Sequence, residues 1–519
     1  MNKAFNLLDE QWIPVRYVNG RTDQLGLLRL FADASRIRAL AETEPPSLVA
    51  LYHLLLAATH RAFTRRFERW AVSDMARHYQ HGLPLDAIED YLEHWRHRFW
   101  VFHPEQPFMQ VAALADADAT REKFKPWTQM ALDAACGNTP VLFDHSMDGR
   151  ISPIDAASAL RKLLGFLQFT PGGLVKVLRT SDNGGPLANT AAVLPLGETL
   201  ARTLCLALHP ASREDHDDLP AWERAAPTLA QLSERATLAN GPNDRYTRLS
   251  RAVLLCQDAT GNNRVSAIRF AEGLALEENE NARDPMASYR AGTNGMVRLT
   301  FSEGRAAWRD LGALLPDRSG KRSHLAAVLA WSTALLERVK PSDGTVLMAL
   351  VAGVTSDQAK LLRWRADRLM LPDALLRAPD AADLLRDRLR EAEELFTDLR
   401  RIFTAMLVET MPDPGHKDTR SRARSIINAG AASPRYFSAL ERTLPRLLAL
   451  SARQCPDESI EEWHKAMLSA ADKAWSSVVV ELGNNAPALR ARVRAETKYM
   501  DLLKSLRAPR ESRDQETTA

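Results

Sequence analysis

Little in this sequence offers ready-made chemistry. Its four cysteines, Cys136, Cys205, Cys256 and Cys455, are scattered. No two lie at the spacing of a zinc knuckle, and they suggest no disulfide framework. No run of 18 apolar residues occurs, and no cationic segment leads into an apolar one at the start, so the expectation is a cytoplasmic protein without secretion signal or membrane span. A phosphate-binding glycine loop with its lysine and hydroxyl is missing, as are GxGxxG, HExxH and GxSxG patterns. Charge of one sign is lacking too: 68 Lys+Arg face 65 Asp+Glu, a formal net charge of +3. That is too balanced for a free-standing, nonspecific nucleic-acid binder, although it leaves room for segregated basic patches.

What is present is ordinary soluble material in quantity. With 519 residues, 45% apolar and 26% charged, the chain exceeds one compact core and predicts roughly two to four domains. Phe5 to Arg16 reads as a strand ending at Pro14, and Asn19-Gly20 as a hairpin turn. From Pro46 the pattern becomes helical, with Leu48, Leu51, Leu55 and Ala58 at spacings of three and four. The same segment continues into Arg61, Arg65 and Arg69, a basic stripe that reads either as a solvated face or as a contact for a phosphate backbone. Ile151 to Leu167 is helical by pattern, and residues 251–310 alternate short extended pieces with turns. Asp217 and Asp218 beside His216 read as solvated loop residues, and His94 and His97 as core-edge packing, so no metal or other cofactor is expected.

From His324 onward the chain reads as nearly all helical. Pro372 to Pro379 is a hinge or linker. Beyond it, Leu385, Leu389, Ala392, Phe396, Leu399, Phe403 and Met406 form one apolar stripe that needs partner helices. Further helices are predicted over 421–429, 434–451, 460–482 and 487–506, with a frayed tail from 509 to 519.

One stretch is more pointed. Phe166-Leu167-Gln168-Phe169 runs into Thr170-Pro171-Gly172-Gly173, and a second break follows at Asn183-Gly184-Gly185-Pro186. Lys176 and Arg179 lie between them, with no acid before Asp182. Paired glycines remove side chains where a backbone turns or is closely approached. These breaks are either ordinary surface turns or loops whose amides and cations lie against a polyanion.

Taken together, the opening Asn6-Leu7-Leu8 with Trp12 to Arg16, the phrase Pro104-Glu105-Gln106-Pro107-Phe108-Met109-Gln110, the two glycine breaks and Gly353 through Gln358 carry a resemblance. In that order, ahead of a helical C-terminal third, they resemble the large subunit of the type I-E CRISPR surveillance complex, Cascade, over essentially the whole chain. The resemblance implies an α+β fold: a large mixed α/β N-terminal domain (1–372) and a C-terminal four-helix bundle (373–508). It implies no catalytic activity. Implied partners are double-stranded target DNA, the crRNA-containing backbone and small subunits, and a helicase-nuclease that docks later. In this role the protein recognises the protospacer-adjacent motif and starts strand separation.

On the same resemblance, Gly172 and Gly173 are the motif-approaching loop and Gln358 is a wedge. Asp357 stands where a relative has asparagine, which alters motif preference because an ionised carboxylate cannot donate to a base acceptor. Phe143 resembles a loop aromatic near the crRNA 5′ handle. Lys176, Arg179, Lys360 and Arg363 are candidate phosphate contacts, and Arg264 and Arg269 are candidates for the family's minor-groove basic residue. A structural scaffold that does not read the motif, or a metal-dependent nuclease, are the alternatives.

Overall fold

A computed structural model describes residues 4–134, 152–173, 175–210, 217–258, 262–279, 282–293, 295–339, 345–357 and 360–507. The chain divides into two compact units. The first comprises residues 1–303 and 320–369, and the second residues 304–319 and 370–519. Residues 304–319 thus belong to the helical unit although they precede it in sequence. That segment is held there by ion pairs: Arg305 and Arg309 both reach Glu393, at 3.0 and 2.7 Å. Arg386 in turn donates to the carbonyls of Gly312, Leu315 and Pro316.

In the first unit the central element is the helix Pro45–Phe67. Two prolines open it, where missing amides cost nothing, and it is buried nearly all round from Val49 to Phe63. The helix Ala156–Phe169 packs on it, and Gly165 makes this possible: a Cβ there would lie 2.9 Å from the Ser47 amide. This second helix starts later than the pattern suggests. Ile154–Asp155 forms a short strand first, and Asp155 caps the helix by accepting from the Ser158 amide at 2.8 Å. At the N-terminus the strand Ile13–Tyr17 continues through Pro14, and the Asn19-Gly20 turn leads into Thr22–Leu25 as a hairpin, with Gly20 at φ +87°.

Two sheets frame the site. In one, Arg251–Gln257 and Arg264–Glu272 pair antiparallel along their length. In the other, Val346–Asp357 lies between Ala191–Leu196 and Lys360–Pro372. The latter overturns the helical reading from His324 onward: the helix Ala327–Val339 is present, but the chain then turns back as a long two-stranded hairpin. Ala349, Leu350, Val351, Ala352 and Val354 are all at most 5% exposed, as expected for a strand enclosed on both sides. Such an apolar run has no period by which to distinguish it from a buried helix.

The second unit is helical. Helices Pro379–Val408, Pro456–Leu482 and Ala486–Arg507 are long, and Lys417–Ala429, Ala432–Glu441 and Leu444–Ala452 are short. The stripe from Leu385 to Met406 is buried along its length. The predicted single helix over 434–451 is instead two, broken at Arg442-Thr443. Tyr436 fixes one of them by donating to the Ala392 carbonyl at 3.0 Å.

Candidate nucleic-acid interface

The helix Ala156–Phe169 ends at Thr170, and the chain passes through both glycine breaks before entering the strand Ala191–Leu196. The two breaks lie against each other. The Gly173 amide donates to the Asp182 carbonyl at 3.1 Å, Gly185 to Thr170 at 2.8 Å, and Leu187 to Gln168 at 2.9 Å. Gly172 and Gly185 are needed for this approach. A Cβ on Gly172 would sit 2.9 Å from the Asp182 oxygen, and one on Gly185 would sit 2.6 Å from that of Gln168. Gly173 is different: its φ is +86°, it is exposed, and a Cβ there would meet nothing within 4 Å. The loop thus has a packed inner side and an open outer side.

The inner side is held by charged residues remote in sequence. Arg251, fully buried, forms a bidentate pair with the equally buried Asp182, at 2.7 and 2.9 Å. It also donates to the carbonyls of Asn183 at 2.7 Å and Pro171 at 2.8 Å. Burial pulls the guanidinium down to about 10, with Asp182 opposing that shift, so it remains charged near neutrality. Glu272 accepts from three successive amides, Val177 at 2.6 Å, Leu178 at 2.8 Å and Arg179 at 3.4 Å. Arg298 donates to the Pro186 carbonyl and the Thr190 hydroxyl, each at 3.1 Å.

These contacts sort the candidate cations. Lys176 is exposed and has no ion pair or hydrogen bond among the described residues. Arg179 is instead turned onto its own fold, donating to the carbonyls of Ser181 at 2.8 Å and Leu232 at 3.1 Å. Arg363 pairs with Glu303 at 2.9 Å, both side chains about 70% exposed, so water and salt can compete for either. Lys360 begins the second strand of the hairpin. Arg264 reaches the Pro153 carbonyl, and Arg269 reaches that of Arg121 while lying over the Phe124 ring.

The hairpin meets the loop at one sheet end. Antiparallel pairing runs from Met348↔Leu196 to Gly353↔Ala191, and Ala191 is the first strand residue after the loop. Gly353 abuts the Thr190 carbonyl so closely that a Cβ would fall 2.1 Å from it. The strand then continues to Asp357, four residues and about 13 Å further. Gln358 and Phe143 lie outside the described residues.

Two sequence-based readings are corrected here. Arg61 is not part of a free basic stripe: it forms a bidentate pair with Glu223, 2.8 Å at each contact, and Tyr91 donates to the same carboxylate. Asp218 is buried rather than solvated, and it accepts from the amides of Asn243 and Asp244 at 3.1 and 2.8 Å. Among the described residues, no group of three or more His, Cys, Asp or Glu side chains is arranged to hold a metal, and no helix is long and apolar enough to cross a membrane.

Comparison with known proteins gives this arrangement its context. Residues 6–474 match the family model of CRISPR-associated protein Cse1. CRISPR-associated protein CasA/Cse1 of Thermus thermophilus is 34% identical over 97% of this chain and 98% of its own. The solved structure of Thermus thermophilus CasA (Cse1) superposes with a TM-score of 0.82 at 30% identity, covering 97% of this chain and 100% of that one. A chain from a CRISPR RNA-guided surveillance complex shares the fold, with a TM-score of 0.71 at 20% identity over 96% of this chain and 100% of that one. The chain belongs to the CRISPR-associated protein Cse1 family.

Proposed function

We propose that this protein is the non-catalytic large subunit of a crRNA-guided type I-E surveillance complex. In that role it recognises the protospacer-adjacent motif in double-stranded DNA, starts strand separation, and later offers a docking surface to a helicase-nuclease. The observation that carries the reading is the junction Ala191↔Gly353, which brings the end of the glycine loop and the start of the hairpin's outer segment to one sheet end.

The chemistry suits the task. A loop with no side chain at its open position lets backbone approach a groove closely, and the minor groove offers a degenerate pattern that few contacts can read. Gly173 supplies that approach, and Lys176, uncommitted to the fold, supplies a phosphate contact. Gln358, next in sequence after the strand Val346–Asp357, acts as the wedge. Breaking the first base pairs costs a few kcal/mol, and the enclosed strand before it provides the rigid base that this requires. Asp357 beside it accepts and cannot donate, which shifts the motifs tolerated. Guide pairing supplies the remaining sequence identity. Phe143 engages the complex near the crRNA 5′ handle.

The test is Gln358→Ala in the assembled complex, followed by fluorescence during R-loop formation. Opening slows while initial duplex association is unchanged. An unaltered opening rate would remove the wedge from the account.

A further inference from the structure

We infer that Arg251 and Glu272 are positioning residues for motif reading, a cross-strand pair that sets the glycine loop in its reading position without touching DNA. The inference rests on the reading of that loop given above. The two residues are register partners at one end of the Arg251–Gln257 and Arg264–Glu272 hairpin. From that single point they hold the loop over most of its course. Arg251 takes the Pro171 carbonyl from the first break, and the Asn183 carbonyl and Asp182 carboxylate from the second. Glu272 takes the amides of 177–179 between them.

The side-chain chemistry is specific to the geometry. A guanidinium presents its donors as a rigid fork, so one group can satisfy a carboxylate and two carbonyls at once; a lysine ammonium is a point charge on a flexible stem. Three successive amides make a concavity that suits an anion. Here Glu272 fills it from within, so the 177–179 backbone is committed to the fold and DNA is left the outer side, Gly173 and Lys176.

Such a latch matters because residues 170–187 include Gly172, Gly173, Gly184 and Gly185, and glycine loses the most conformational freedom on ordering. A loop that holds the competent arrangement only part of the time has its apparent affinity reduced by that fraction. The reduction falls unevenly. Lys176 on its flexible stem follows a phosphate through small displacements, whereas contacts to base edges do not. Losing the latch therefore lowers discrimination between motifs and leaves motif-independent association in place.

The experiment uses the assembled complex carrying Arg251→Lys or, separately, Glu272→Gln. Hydrogen exchange is followed over residues 170–187, together with affinity for motif-bearing and motif-free duplexes. Exchange in the loop accelerates, and the affinity ratio falls about tenfold if the competent conformer drops to about a tenth of the molecules; motif-free binding is unchanged. Glu272→Gln preserves shape and stands alone if Arg251→Lys does not assemble. Unchanged loop exchange in the variants would overturn the latch, as would an equal loss of motif-bearing and motif-free binding. Faster exchange with undiminished discrimination would leave the latch in place and refute the loop as the motif reader.

Discussion

Alanine at Gly172 and alanine at Gly173 should have different consequences, although the positions are adjacent. At Gly172 the added Cβ would sit 2.9 Å from the Asp182 oxygen and 3.1 Å from the Gly184 nitrogen. Both are backbone atoms of a segment fixed by Arg251, so neither can rotate away as a side chain would. Overpacking of this kind costs about 1–3 kcal/mol, and it falls on the folded state. At Gly173 the new methyl meets nothing within 4 Å. The cost is that of a left-handed backbone at φ +86°, about 1 kcal/mol. If DNA lies on that open side, however, the methyl holds it away from the base edges, and losing a base contact costs about 1–3 kcal/mol of discrimination. Denaturant unfolding of the purified chain measures the first effect, and competition binding of the assembled complex to motif-bearing duplex measures the second. Gly172→Ala should show the larger loss of stability. Gly173→Ala should show a small loss of stability and a motif affinity reduced about fivefold or more. Wild-type motif affinity in Gly173→Ala would refute the reasoning, because it would mean nothing approaches the loop's open side.

Two predictions concern the interior of the first unit. Burial lowers His53 to about 4, while its Nδ1 donates at 3.1 Å to the amide oxygen of Gln168, just before the loop. The unfolded chain takes up this proton below about pH 6.5 and the folded one only near 4, so stability falls as pH drops through that window, by about 1.6 kcal/mol between pH 6.5 and 5. His53→Gln should flatten the pH dependence of urea unfolding by about that amount; an equal slope in both proteins would refute it. Arg61→Met strips Glu223 of its guanidinium and should cost roughly 3 kcal/mol of stability without changing affinity for motif-free duplex. Unchanged stability with weaker DNA binding would restore the basic-stripe reading.

How much of this was legible beforehand depends on the range of the interactions. The stripe from Leu385 to Met406 has a helical period over six turns, and its burial follows directly. The Asn19-Gly20 turn is likewise local. Val346 to Ala352 was not legible, because an apolar run without alternation fits a strand enclosed on both sides as well as a helix. The one local clue was the alternation of Arg363, Arg365 and Arg368 with neighbouring apolar residues beyond it, an edge-strand pattern read there as part of a helical region. The glycine breaks were visible as breaks. Their support was not: Arg251 lies 69 residues from Asp182 and 80 from Pro171, and no spacing rule links them. Arg179 and Arg61 illustrate the converse limit, since a charge in sequence gives no sign of whether the fold has already claimed it.

Site-specific crosslinking tests the central claim most directly. Photo-crosslinking groups placed singly at positions 173 and 358 of the chain, in the assembled complex, would be activated on a duplex carrying the motif. Both positions should label nucleotides within the same few base pairs, at and beside the motif, and labelling should vanish on a motif-free duplex. Labelling from the two positions at well-separated places, or equal labelling of both duplexes, would contradict a glycine loop and a Gln358 wedge that read one short piece of DNA together.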